Sequence, residues 1–493
     1  MSKHVKYYLI LIVILLISNL KAQFTFNNYY SSGKLSGANH VQVLPNNSYL
    51  CTGYFKDSLT SQQGIEFRKL DQTGSTIIRK RYQVGTEDFA TYLNNKYVIE
   101  HSNTRFFVSG ATYTGTLMTV LFVAVNPLTL DTIFCKKYID GNEFYFAHRF
   151  KINQNEIWLV GNKFNSVTSL PNRPVIFKYD TLGNLLSIKE FTNYTNYDCL
   201  AIDYDAANGR LYFAGNNFNV NPMGYNISCI DTSGVIIWNK NITNDDYYFR
   251  SIKVIDGELI CAGNKITKYV SVHPFHKLTI VKYNVINGNL IDNRLYGISF
   301  KNNTFTSIYK LPSNQLILSG KYNYNENSNT LKHGGFILKI NNNLDSVWMR
   351  LYTNFPDIIE ETFFDIKQTA DNGFIACGAP IYAPTPQSQS WVVKTDSLGI
   401  APGAITVNLN EQELKEFNTS VYPNPFKTSI QVNTNTSLKL NLRVIDILGK
   451  LQHAQNLSQV NTKIDLEFLP PGIYFISFLN EQGQSKTIKL IKQ

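Results

Sequence analysis

Seven times along the chain an apolar run closes on a glycine: YLCTG, RFFVSG, IWLVG, LYFAG, LICAG, LILSG and FIACG. The glycines are Gly53, Gly110, Gly161, Gly215, Gly263, Gly320 and Gly378, spaced 57, 51, 54, 48, 57 and 58 residues apart. A strand-like period of about fifty residues is the mark of a repeat architecture built from small sheets. A glycine that ends a strand marks a bulge or a close backbone approach, so these seven are expected to be scaffold rather than ligand contacts.

Unit three shows the repeat most cleanly. Glu143 to Ile152 predicts a first strand, NQNE a turn and IWLVGNKF a second strand, while Pro174 to Asp180 and Leu185 to Phe191 predict two more. Asp180-Thr-Leu-Gly183 joins the last pair, with Asp binding its own backbone and Gly supplying positive φ. The joint recurs at Asp71, Asp231 and Asp396. Four short strands per unit, repeated in a ring, describe a β-propeller. Fourth strands end on an aromatic at Tyr82, Tyr138, Phe191, Tyr296 and Tyr352, but the seventh unit runs into Ala-Pro-Gly without one. FTFNNYY near the N-terminus supplies it, because Tyr30 lies 23 residues before Gly53, in register with the rest. The expected fold is therefore all-β. It is a seven-bladed β-propeller over 23–400 closed by the N-terminal strand, a linker at 401–420 and a small C-terminal β-sandwich at 421–493.

Bulk composition bounds the function. Of 493 residues, 43% are hydrophobic and 17% charged, which is globular. Of the net charge of +10, three positive charges precede residue 23 and a net four follow Val421, leaving +3 between them. No basic patch stands out, so nucleic acid is not an expected partner. Lys3 and Lys6 before Tyr7 to Ile17, with Leu20-Lys21-Ala22 as a cleavage site, predict a signal peptide at 1–22. No other run is long enough for a transmembrane helix, so none is expected in the mature chain. Cys51 and Cys261 occupy equivalent places in different units, too far apart to bridge, so buried thiols are expected there. One bridge among Cys135, Cys199 and Cys229 stays open.

The C-terminal segment carries the most specific motif. Tyr422-Pro423-Asn424-Pro425 precedes several short strands, with an Asp446-Ile-Leu-Gly449-Lys450 turn, then Pro471-Gly472-Ile-Tyr474 and a last strand from Lys486 to Lys489. In these elements, their order and their spacing, Val421 to Gln493 resembles the C-terminal sorting domain of the type IX secretion system of Bacteroidota. The resemblance implies Sec export through the periplasm, passage across the outer membrane by the type IX machinery, and release or attachment at the cell surface.

Chemistry is sparsely written. There is no GxSxG elbow, HExxH helix, CxxC pair or phosphate-binding glycine loop. The His273-Pro-Phe-His276 pair lacks a third ligand at zinc spacing. Acidic residues do recur just before the innermost strand of several units, and Glu143, Asp198, Asp246 and Glu361 are the candidates for a ring about one mouth of the propeller. Convergent carboxylates would bind a hard cation such as calcium, and neighbouring aromatics would stack on sugars; a solvated cap on each turn is the plainer alternative. No cofactor is otherwise called for. The expected function is an exported binding or adhesion protein for a glycan or protein. The alternatives are a polysaccharide hydrolase or lyase and a purely structural surface component.

Overall fold

The computed structural model describes residues 23–493 except 32–34, 84–87, 91–99, 103–104, 115–116, 139, 141–142, 154, 166–172, 193, 195–196, 218–223, 243–246, 271–272, 298–302, 324–332, 354–359, 383–388, 408–410, 414–418, 435–439, 448–449, 458, 460 and 481–484. The signal segment 1–22 therefore lies outside the described residues. The chain divides into two compact bodies, 1–412 and 413–493. Among the described residues both are strand and turn, with no helix.

Six antiparallel meanders of four successive strands make up most of the larger body; in unit two a short extra strand, Glu100–Ser102, also pairs on Arg105–Thr114. Their first strands are Leu35–Val43, Asp88–Ala90, Glu143–Asn153, Tyr197–Asp205, Tyr247–Ile255 and Thr304–Lys310. The seventh unit has Glu360–Gln368, Phe374–Tyr382 and Ser390–Thr395, and Phe26–Tyr30 completes it by pairing antiparallel with Ser390–Thr395. Asn28 faces Val392 and Tyr30 faces Ser390 in that register. The chain thus ends its last unit with its first strand.

The ruler glycines have one geometric cause. In units one, three, four, five, six and seven the first strand slips register opposite the glycine, as between Ala38 and His40 or Phe249 and Ser251. An extra residue on that strand pushes its backbone toward the partner. A Cβ on Gly53 would stand 1.7 Å from the Gly37 carbonyl oxygen, and one on Gly263 would stand 1.8 Å from that of Tyr248. No side chain fits there.

The hairpins follow the expected turn chemistry. Asp71 Oδ1 accepts from the Thr73 and Ser75 amides at 2.8 and 2.9 Å, while Gly74 takes positive φ. Asp180, Asp231 and Asp396 repeat the arrangement.

Packing runs from each unit to the next and from the seventh back to the first. One apolar cluster joins units one and two through Phe67 and Leu121, and others join each later pair in order. Phe26, Ile375 and Val392 of unit seven pack with Val41, Tyr49 and Leu70 of unit one. Each fully buried side chain of this size contributes about 1.5–3 kcal/mol. The result is a propeller-like arrangement. The stretch expected as a linker adds a strand of its own, since Ala404–Val407 pairs antiparallel with Ser346–Tyr352 on the outer edge of unit six.

In the smaller body a three-stranded and a four-stranded sheet share one core, Ile430, Val432 and Ile464 meeting Leu442, Ile476 and Phe478. No disulfide links the six cysteines; five are buried and Cys135 is exposed.

Candidate functional site

Antiparallel meanders sort their connections by face. Turns joining strands one to two and three to four lie at one end of each unit, and the remaining connections lie at the other. Glu143, Asp198 and Glu361 lie at the second end, where first strands begin. Glu143 and Asp198 begin or nearly begin first strands, but only their backbone is described, and Asp246 lies outside the described residues. Glu361 is buried at 1% exposure. The Tyr29 hydroxyl donates to its Oε1. Burial and that carboxylate drive the Tyr29 pKa far up, which keeps the hydroxyl a donor. Tyr29 stacks on Trp391 at 5.8 Å, and Trp391 on Phe363 at 4.2 Å. Among the described residues no group of three or more His, Cys, Asp or Glu is placed to hold a metal ion.

A second arrangement at the same end involves residues that motif reading passed over. The residue after the ruler glycine is Asn in three successive units: Asn162, Asn216 and Asn264. The first two stitch their unit to the next. Asn162 Oδ1 accepts from the Cys199 amide at 2.9 Å. Asn216 both accepts from the Phe249 amide at 3.0 Å and donates to the Phe249 carbonyl at 3.2 Å. Asn264 is buried at 3% exposure, yet its Nδ2 meets His276 Nδ1 at 2.6 Å and its Oδ1 has no partner. Either way round, one polar atom of that amide is left open.

Two cations act on its partner His276. Burial, and then the charges of Lys321 and Arg250, push the His276 pKa down to about 4, so its ring is neutral near pH 7. The Arg250 guanidinium lies 4.6 Å from the centre of the Tyr248 ring, and its Nε is buried without a hydrogen-bond partner. Lys321 forms a 2.7 Å ion pair with Glu360, whose other oxygen is 3.9 Å from His333 Nδ1. Lys277 pairs opposite Lys265, on the other face of the sheet from Asn264, and burial lowers its pKa. Tyr248 faces Asn264 in register, so Arg250 is the cation beside the amide, while the Lys321–Glu360 pair ties unit six to unit seven.

Nearer the middle of the first strands, two carboxylates join three units each. Asp203 takes Lys151 at 3.0 Å, Lys253 at 3.4 Å and the Val254 amide at 2.7 Å. Asp365 takes His40 Nδ1 at 2.6 Å, the Ser307 hydroxyl at 2.9 Å and Lys367 at 3.0 Å. Both are well supplied with donors and act as staples between first strands.

In the smaller body the Tyr-Pro-Asn-Pro motif is held on the last strand. Asn424 donates to the Lys489 carbonyl at 2.7 Å and accepts from the Ile491 amide at 2.9 Å. The Tyr422–Pro423 and Asn424–Pro425 bonds are both cis. Gly472 pairs with Lys492, and the buried Tyr474 donates to the Pro470 carbonyl at 2.8 Å; Gly449 lies outside the described residues. Residues 420–493 match the secretion system C-terminal sorting domain. This sorting domain directs the chain to type IX export, ending in secretion or attachment at the cell surface, and implies contact with that machinery.

The sequence matches no curated protein. Among solved structures the chain is similar to the polysaccharide lyase Uly1, at 11% identity and a TM-score of 0.43 over 76% of this chain and 92% of that one. It is also similar to an α-L-arabinanase of Penicillium chrysogenum complexed with arabinobiose (8%, 0.37, covering 76% and 98%). A third likeness is to the β-propeller domain of the Trilobed protease of Pyrococcus furiosus (8%, 0.41, covering 74% and 97%). These are distant likenesses, and the fold stands on its own strand pairing. Among the described residues no helix is long and apolar enough to cross a membrane.

Proposed function

We propose that the larger body is a seven-bladed β-propeller closed by its own N-terminal strand, and that it works as a binding or adhesion protein delivered to the outer surface of a Bacteroidota cell. Its ligand is a glycan or a protein. The closed ring is supported by the pairing of Phe26–Tyr30 with Ser390–Thr395 and by the apolar cluster between units seven and one.

One observation carries the binding reading: the cross-unit ties that hold the first strands as a rigid frame. Asn162 and Asn216 bind the backbone of the next unit, and Asp203 and Asp365 each join three units, so the connections between strands are carried on a stitched scaffold. Loops held on a rigid frame are where binding residues concentrate. The fold itself specifies no ligand.

The test is an array of polysaccharides and surface proteins probed with the mature chain, with and without calcium, reading both retention and released reducing or unsaturated sugar. Retention without release is expected. Release would make the protein a hydrolase or lyase, and silence on every spot would leave a structural component. Calcium-dependent retention would support the acidic ring of Glu143, Asp198, Asp246 and Glu361.

A further inference from the structure

The outer strand of a sheet leaves a row of backbone groups open, which another chain can pair with unless the edge is covered or charged. The units meet this in different ways. Ala404–Val407 covers Ser346–Tyr352 of unit six, and Glu411–Glu413 covers Leu290–Tyr296 of unit five. Thr76–Tyr82 of unit one carries Arg79, Lys80 and Arg81, and Thr132–Tyr138 of unit two carries Lys136 and Lys137. Leu185–Glu190 of unit three is shorter and ends on two charges, while Phe26–Tyr30 of unit seven has no exposed residue. Unit four differs. Among the described residues no strand pairs outside Ile236–Ile242, and Lys240 is its one charge. Ile237 on it is 43% exposed, and Val235 just before it 58%. The exposed Ile286 continues this apolar surface, in the unit five hairpin whose Val285 carbonyl accepts from Trp238 at 2.9 Å.

We propose that Ile236–Ile242 pairs antiparallel with the same strand of a second copy of this chain, joining two larger bodies edge to edge. The chain already uses the device on itself, where Ala404–Val407 adds antiparallel to unit six. An edge strand turns the N–H and C=O of alternate residues outward, so a two-fold pair of identical strands centres on a residue. Centred on Asn239, the pair sets Ile236 opposite Ile242, Ile237 opposite Asn241 and Trp238 opposite Lys240. No like charges then face each other. The same pairing in unit one would set Arg79 against Arg79, with Lys80 and Arg81 beside them, and like charges directly opposite are destabilising. Unit four is self-complementary where unit one is guarded. Its outer strand lies apart from the first strands and their ties, so self-pairing goes beyond the binding reading and does not depend on which ligand is found.

Sedimentation equilibrium of the full mature chain over a wide range of concentration tests it. A reversible monomer–dimer equilibrium is expected, closed at the dimer by its two-fold. Added salt should not weaken it, since backbone bonds and apolar contact carry it. Ile237→Lys should weaken dimerisation at least about ten-fold, equivalent to 1.4 kcal/mol. Adding Asn241→Asp should tighten it again, because the two-fold sets position 241 of one copy opposite 237 of the other. Ile77→Lys in unit one should change nothing, and melting curves of each variant separate lost pairing from lost fold. A strict monomer at every concentration, growth past the dimer, a dimer indifferent to Ile237→Lys, or a double variant no tighter than the single one would overturn the assignment. A monomer that retains a protein on the array and loses it with Ile237→Lys would give the edge to a foreign strand, and would overturn self-pairing while leaving the binding reading standing.

Discussion

The Tyr30 hydroxyl donates to the Gly74 carbonyl at 2.6 Å, from the last strand of unit seven to the final hairpin of unit one. The same bond ties unit five to six, Tyr296 to Leu344, and unit six to seven, Tyr352 to Gly399, each at 2.6 Å. Tyr82 makes it to Leu130 between units one and two. The join between the two ends of the larger body is therefore made like the joins inside it. Tyr30→Phe should cost about 1 kcal/mol, the worth of one such bond. For a body of this size that is a fall of about 1–2 °C in melting temperature by calorimetry.

Gly263→Ala should be far worse. The added methyl would meet backbone, the Tyr248 carbonyl oxygen, and no side-chain rotation relieves that. A loss of about 3 kcal/mol or more, or failure to fold, is expected from chemical denaturation. Gly209→Ala is the contrast: a Cβ there meets nothing within 4 Å, and the positive φ alone costs about 1–2 kcal/mol.

The two asparagines should separate as well. Asn216→Ala removes two bonds to Phe249 and strands both backbone groups, costing about 2 kcal/mol. Asn264→Ala removes an amide that already has one open atom, and should cost less than about 1 kcal/mol. Equal losses would show that Asn264 also stitches its seam.

These relations mark how far the sequence could be read. The Asp-x-x-Gly hairpins are local: one carboxylate meets amides two and four residues on, so the residue order carries them. The place of Tyr30 is legible for the same reason, as a register counted from a repeated glycine. Which way Glu361 points is not. The bulge between Phe363 and Asp365 shifts the alternation of faces, so counting from the turn cannot place a carboxylate in the core or in solvent. The turning of Asn264 toward His276 depends on a side chain across the sheet, which periodicity does not encode. The strand Ala404–Val407 forms because unit six leaves an open edge beside it, a fact about the partner rather than the segment.

Acid should loosen the staples between first strands. Burial alone would raise the Asp203 pKa, but Lys253, Lys151 and the Val254 amide outweigh it and hold it below the usual carboxylate range. The folded chain thus binds this proton more weakly than the unfolded one. The stabilisation is fully present above the unfolded value of about 3.9 and is lost as pH falls through the lower folded value. Asp203→Asn should therefore melt lower at pH 7 and show a shallower decline between about pH 5 and pH 2.

The closing strand gives the most direct test of the ring. The mature chain without Phe24 to Tyr30 should melt sharply lower, because Ser390–Thr395 loses its partner and the cluster of Phe26 with Val41 and Val392 loses its outer member. A synthetic peptide of residues 23–31, added in excess, should restore the melt by binding the folded ring alone. An unchanged melting temperature on deletion, or no response to the peptide, would contradict closure by the N-terminal strand.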